Sequence, residues 1–155
     1  MVLRASGLTE RLKASPILGL SDTETVKLDF DEVSFSSVRY WATRTMKWFK
    51  LRGFVILRSS ENRYHIMFDR KVSWKQNMRI VAWVALLSHN QGLAKWFLMQ
   101  CIKGCSTLRV SVKQEKPPPR VVYRFGTQDE NAKDFMKMRK LVKKIEKKLQ
   151  KTHDF

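Results

Sequence analysis

The stretch "FVILRSSENRYHIMFD", residues 54–69, decides how the chain folds. Two runs rich in aliphatic and aromatic residues, "FVILRSS" and "RYHIMFD", are joined by the polar link "SEN". They read as the two strands of a hairpin, although no glycine marks the turn. Tyr64, Ile66 and Phe68 fall on one strand face and suit packing. His65 falls on the other.

Upstream of the hairpin, "FSSVRYWATRTMKWFKLRG" repeats Phe35, Val38, Ala42, Met46 and Phe49 at helical spacing. Ser34 suits its N-cap and Gly53 its stop. Before that helix, "VKLDFD" (26–31) alternates Val26, Leu28 and Phe30 against Lys27, Asp29 and Asp31. This is a strand with both carboxylates on one face. Residues 1–22 mix Gly, Ser, Pro and short apolar clusters. They are expected to form a weakly structured arm with a helical turn at "LTERLK", and "SPILGL" suits a docking peptide for a partner. The folded domain is then expected to span residues 23–155.

Downstream, Trp74 to Leu87 reads as a strongly apolar helix, which "SHNQG" separates from a second helical piece ending near Cys101. "STLRVSVK" (106–113) alternates like a strand. "QEKPPP" is a stiff loop, because three prolines continue neither ladder nor helix. "RVVYRFG" is a further strand. From Asp129 to Lys151 a helix is expected, with an apolar stripe of Phe135, Met138, Val142, Ile145 and Leu149 and lysines on its other faces. Strand, helix, hairpin, helix pair, two strands and helix predict an α+β domain. In it, helices cover one face of a mainly antiparallel sheet and the other face is free for a ligand.

The chain has 155 residues, suited to one domain, and its 31 Lys+Arg against 14 Asp+Glu leave a formal charge of +17. Such an excess points to a polyanionic partner, nucleic acid ahead of a membrane surface. Aromatic content of 11% marks a folded domain rather than a basic tail. Cys101 and Cys105 lie four apart and would share a face if helical, but no second Cys/His pair supports a zinc site. The most apolar region is interrupted by His89, Asn90, Gln91 and Lys95, so no membrane span and an intracellular protein are expected. Trp48, Trp74, Trp83 and Trp96 are placed in the core. Of the neighbours Tyr40 and Trp41, at least one must face outward.

Several residues suit chemistry. Asp29 and Asp31, at i and i+2 on a strand, lie roughly 7 Å apart by strand rise. Two such carboxylates repel unless exposed or neutralised, and a divalent cation, Mg²⁺ or Mn²⁺, neutralises them well. Arg58, Ser59, Ser60, Arg63 and His65 donate hydrogen bonds beside the hairpin turn, as phosphate binding requires. Arg109, Ser111 and Lys113 would form one basic strand face able to cradle a triphosphate. Lys140, Lys144 and Lys148 on the last helix could act as a point-charge stripe for nucleic-acid phosphates. The apolar stripe of that helix suits packing on the domain better than membrane insertion. Sheet aromatics Tyr64, Phe68, Tyr123 and Phe125 are the candidates for base stacking in an RRM-like RNA-binding module, but no aromatic string of the usual kind accompanies them.

The order "LDFD", helix, "SSENRYHIMF", then "STLRVSVK" resembles the catalytic core of the archaeo-eukaryotic primase superfamily over roughly residues 26–126. The resemblance implies a modified RRM-like sheet with flanking helices. It implies a metal-binding role for Asp29 and Asp31, a phosphate-binding role for Ser60 and His65, and a later nucleotide contact from Arg109. Two features depart from the family pattern. "ENRY" stands where a Gly-rich turn is usual, and no Asp or Glu occurs between Asp69 and Glu115, where the third acid should lie. A small primase-like chain without that acid is similar to the non-catalytic third subunit of crenarchaeal primases. The implied role is an accessory, archaeal and cytoplasmic one in DNA replication. Its implied partners are the catalytic and large primase subunits, single-stranded DNA and nucleoside triphosphates. An active small primase using Asp29 and Asp31, and an RRM-like RNA-binding module, are the alternatives.

Overall fold

A computed structural model describes residues 2–6 and 17–153. The element order is β1 (Val2–Ser6), β2 (Ile17–Asp22), β3 (Lys27–Phe30), α1 (Phe35–Trp48), β4 (Gly53–Ser60), β5 (Arg63–Asp69), α2 (Trp74–Ser88), α3 (Gln91–Lys103), β6 (Ser106–Arg109), β7 (Arg120–Gly126) and α4 (Asn131–His153). The fold is α+β and both sheets are antiparallel. One has the order β3-β5-β4-β7 and the other β1-β2-β6.

The hairpin forms as its sequence demands. Ser60 pairs with Arg63, leaving Glu61 and Asn62 as the turn, and Asn62 takes the positive φ of 53° that glycine often supplies. α1 starts at Ser34, whose side chain accepts from the Ser37 amide. α2 and α3 start in the same way at Ser73 and Asn90. α3 stops at Gly104, in the left-handed region with φ 76°, and Cys105 lies beyond it. Exposed Cys101 on the helix and buried Cys105 after its cap therefore do not share a helix face.

Two cores lie on opposite faces of the four-stranded sheet. Phe54 and Ile56 of β4, Tyr64, Ile66 and Phe68 of β5, and Leu28 and Phe30 of β3 pack against Val38 and Ala42 of α1 and Ile80, Val81 and Val84 of α2. The alternate residues Val55, Leu57 and Met67 pack against Leu18 and Leu20 of β2, Leu108 of β6, and Ala132, Phe135 and Val142 of α4. Each such side chain, fully buried, contributes about 1.5–3 kcal/mol relative to exposure.

This arrangement overturns the expectation of helices on one face and a free ligand face opposite. The second face is covered by the smaller sheet and by α4. Nor are residues 17–22 a loose arm. They are a strand held between β1 and β6, and Leu18 and Leu20 are buried in the chain's own core rather than left for a partner. The helical turn expected at residues 8–13 lies outside the described residues. The strand expected over 106–113 ends at Arg109, because the chain leaves the ladder and closes a small turn in which Lys113 and Lys116 pair.

The start of α4 is fixed from below. Asp69, fully buried at the end of β5, accepts hydrogen bonds from the amides of Asp129, Glu130 and Ala132, so a carboxylate meets the positive end of the helix. The far end of α4 outruns the sheet, leaving Ile145 and Leu149 of the expected apolar stripe exposed. Among the described residues no helix is long and apolar enough to cross a membrane.

Candidate functional site

β3 lies beside β5 with Asp29 directly opposite His65. Cross-strand partners leave the sheet on the same face. Here it is the face beneath β6, since the flanking Leu28, Phe30, Tyr64 and Ile66 all belong to the helix-side core. His65 Nε2 stands 3.5 Å from Asp29 Oδ1. Arg109 reaches in from β6, its guanidinium donating to the carbonyls of Ser59, Ser111 and Pro117. Its charge bears on both Asp29 and His65. The acid, the histidine and the later arginine thus converge.

The electrostatics of the pair follow from its depth. Burial pushes the Asp29 carboxyl above its ordinary value and nearby Asp31 adds to the rise, while the charges of His65, Arg63 and Arg109 oppose it. Burial also holds His65 below its ordinary value, outweighing the attraction of Asp29. Both shifts favour the neutral forms. His65 Nδ1 is buried with no hydrogen-bond partner among the described residues, so the ring keeps one capacity unused.

Asp31 is engaged differently. Its carboxylate lies 3.6 Å from Arg63 Nε. Its backbone carbonyl accepts from the Asn90 side chain at 2.7 Å. Gly92 in the first turn of α3 has no side chain for a reason. A Cβ there would fall 2.5 Å from Asp31 Cβ and 2.7 Å from Oδ2, so only glycine lets the helix start against this carboxylate.

Each of the two acids has its own basic neighbour. One faces His65 and the other Arg63. Among the described residues no group of three or more His, Cys, Asp or Glu side chains is placed to hold an ion. Two-metal nucleotidyl transfer uses carboxylates free to bridge the ions, and here Asp29 lies 3.5 Å from His65 and Asp31 3.6 Å from Arg63.

The remaining candidates separate. Arg58 pairs with Tyr64 and so points to the helix side of the sheet, away from His65. The register slips between Arg58 and Ser60. Ser59 is therefore the residue bound to the cluster, through its carbonyl to Arg109 and its hydroxyl to the Arg63 carbonyl. Ser60 is partly buried at the hairpin end, its carbonyl accepting from Arg58 Nε at 3.4 Å. Ser111 is fully buried, its hydroxyl accepting from the Leu18 amide at 2.7 Å, so it fastens β2 rather than greeting a phosphate. Lys113 is exposed on the turn after β6. Lys140, Lys144 and Lys148 are exposed at four-residue spacing along α4.

Compared with protein-family models, with curated proteins and with solved structures, the chain matches none.

Two features escaped the sequence reading. Lys27, on the same face of β3 as Asp29, is buried and paired with Asp22 at 2.7 Å. Trp48 and Trp83 are not core residues but are 44% and 49% exposed. For Lys27 the signal was present, since a lysine on the same strand face as two acids shares their surroundings.

Proposed function

We propose that the chain is a non-catalytic accessory subunit of a primase-like replication complex, binding nucleotide and single-stranded DNA in support of primer initiation. One observation carries this reading: Asp29, His65 and Arg109, three of the five positions to which the resemblance gives a role, stand together at one place on the fold. The order β3, α1, β4, β5, α2 also agrees with the βαββα part of a split βαβ sheet, in keeping with a modified RRM core.

In this reading Arg109 offers guanidinium donors to a triphosphate and His65, facing Asp29 beside it, holds the cluster in place, with Lys113 close by in sequence on the adjoining turn. Arg58 and Ser111 take no part. Lys140, Lys144 and Lys148 contribute phosphate contacts to a DNA strand. With Asp29 facing His65, Asp31 facing Arg63 and no Asp or Glu between Asp69 and Glu115, the chain supports synthesis by its partners and does not itself transfer nucleotides.

Binding of a fluorescent ATP analogue to the purified chain tests the cluster. Affinity should fall at least tenfold in Arg109→Ala and in His65→Ala, and unchanged affinity in both, with folding retained, would refute the assignment. A primer-synthesis assay with Mg²⁺ or Mn²⁺ tests the rest. Product that disappears in Asp29→Ala would establish the active-enzyme alternative instead.

A further inference from the structure

The outer face of α1 combines aromatic rings and bare cations in a way that neither the core nor the His65 cluster uses. Tyr40 and Trp48 are 50% and 44% exposed there. Arg44 stands between them, its guanidinium carbon 5.3 Å from the Tyr40 ring centroid and 4.7 Å from that of Trp48. Residues 40, 44 and 48 are each four apart, so the three side chains run along one helix face over about 12 Å. Arg39 lies alongside, 4.7 Å from the Tyr123 ring of β7. With Thr43 and Lys47 these residues line a groove of about 580 Å³.

The charges in this groove lack local acids. No Asp or Glu occurs between Glu32 and Glu61. Among the described residues Arg39, Arg44 and Lys47 make no ion pair. Arg39 and Arg44 are held by rings instead, which fixes their planes and leaves their N–H groups free. A surface selected only for solubility has no use for two half-exposed aromatic rings clamping an arginine.

We propose that this groove binds a single strand of nucleic acid, with bases stacking on Tyr40 and Trp48 and backbone phosphates met by Arg39, Arg44 and Lys47. Stacking surfaces interleaved with cations are what sequence-tolerant single-strand binding requires. Duplex is disfavoured, because its bases offer no free faces to the rings. The site depends on the proposed function only for the class of ligand, and it does not need the His65 cluster to bind anything.

The test is fluorescence anisotropy with a labelled oligothymidylate of about 20 nucleotides, competed by unlabelled duplex and by oligouridylate. Trp48→Ala and Tyr40→Ala should each weaken binding by about tenfold, at unchanged Tm and with an unchanged salt slope. Arg44→Ala and Lys47→Ala should weaken binding and flatten the slope of log K against log salt by about 0.7 for each phosphate left without its cation. Arg44→Lys should fall between Arg44→Ala and the parent. Comparable competition by oligouridylate extends the site to RNA, and weak competition confines it to DNA; either result supports single-strand binding. Folded ring variants that bind as the parent does would overturn the proposal, as would duplex competing as well as single strand. If loss appears only in a Lys140→Ala/Lys144→Ala/Lys148→Ala variant, the α1 site is refuted and the proposed function stands. If the parent does not bind the strand at all, the α1 site fails, and the ATP-binding assay then judges the cluster separately.

Discussion

Two ion pairs leave the same face of β3, two residues apart, and they are built to opposite standards. Lys27 is fully buried. Its ammonium donates to Asp22 Oδ1 at 2.7 Å, to the Ser106 carbonyl at 3.0 Å and to the Ser106 hydroxyl at 3.1 Å, which uses all three of its protons. Asp22 in turn accepts from the amide and hydroxyl of Thr25. Burial pushes the Asp22 carboxyl up, but Lys27 and the Thr25 bonds outweigh it and hold the group below its ordinary 3.8. The Asp29–His65 pair is longer, at 3.5 Å, and leaves a ring nitrogen unpartnered and Asp29 28% exposed at its side chain. The closed pair ties β2, β3 and β6 together. The open pair has capacity left for something else.

The sharpest way to break this contrast is to remove the closed pair's cation. Lys27→Ala leaves Asp22 partly buried beside two empty acceptors and should cost about 3–5 kcal/mol, read by urea unfolding. The double variant Lys27→Met/Asp22→Asn should recover most of that loss, since it removes both charges together. A loss below about 1 kcal/mol in the single variant would mean that the pair is not structural and that the contrast is false.

The next effect is on the rim of the open pair. Arg109→Ala frees three carbonyl oxygens, those of Ser59, Ser111 and Pro117, and should cost about 1–3 kcal/mol. Unlike Lys27→Ala, it should also weaken ATP binding. If both variants impair binding equally relative to their stability loss, Arg109 is a fastener and nothing more.

These contrasts also show what a sequence reveals. Period-two and helical patterns located β3, α1, the hairpin, the α2–α3 break, β7 and α4, because each carries its signal within its own residues. Parity alone placed Asp29 with Asp31 and His65 opposite the Tyr64 face. The covering of both sheet faces was not recognised, although a sign of it was present. Phe54, Val55, Ile56 and Leu57 form an unbroken apolar run, the signature of a strand buried on two sides, where a half-open strand alternates. Strand β2 was missed because "ILGLSD" sits among Gly, Ser and Pro, and its pairing partner β6 lies far along the chain. Arg58 lies on the helix side by the same strand parity as Phe54 and Ile56, a signal that was legible, whereas Ser111 falls past an early strand end that no residue marks. Trp48 was assigned to the core by residue type, when its exposure depends on which helix face the sheet covers.

The open pair also has its own dependence on pH. His65 titrates in the fold below its ordinary 6.5, so between that value and its folded pKa the unfolded chain binds the extra proton. Its contribution is present above pH 6.5 and is lost as pH falls, with a slope of at most about 1.4 kcal/mol per pH unit. Asp29 acts with opposite sign. Its raised pKa makes the folded chain bind a proton first, so stability gains as pH falls through that value toward 3.8. Denaturant unfolding across this range should therefore show His65→Gln gaining stability where the parent loses or holds it. On the acid side the closed pair enters only below pH 3.8, where protonation of Asp22 begins to unmake it. Identical profiles for parent and His65→Gln would place the histidine in no special environment.

The smallest effect separates the pairs most cleanly. Asp29→Asn keeps an oxygen for His65 Nε2 and removes a carboxylate that burial already disfavours, so at neutral pH the change should stay within about 1 kcal/mol. The consequence appears in acid. Without the carboxylate, the larger of the two attractions opposing burial is gone, only that of Asp31 remains, and His65 protonates in the fold at still lower pH. The loss of stability below pH 6.5 should then be steeper than in the parent, and the Asp29 gain that partly masked it should vanish. Asp22→Asn offers the matching measurement on the closed pair, where a buried ammonium loses its counter-charge and the cost is immediate at neutral pH. A large neutral-pH loss in Asp29→Asn, on the scale of Asp22→Asn, would show that both pairs carry the fold and that the unused ring nitrogen is incidental.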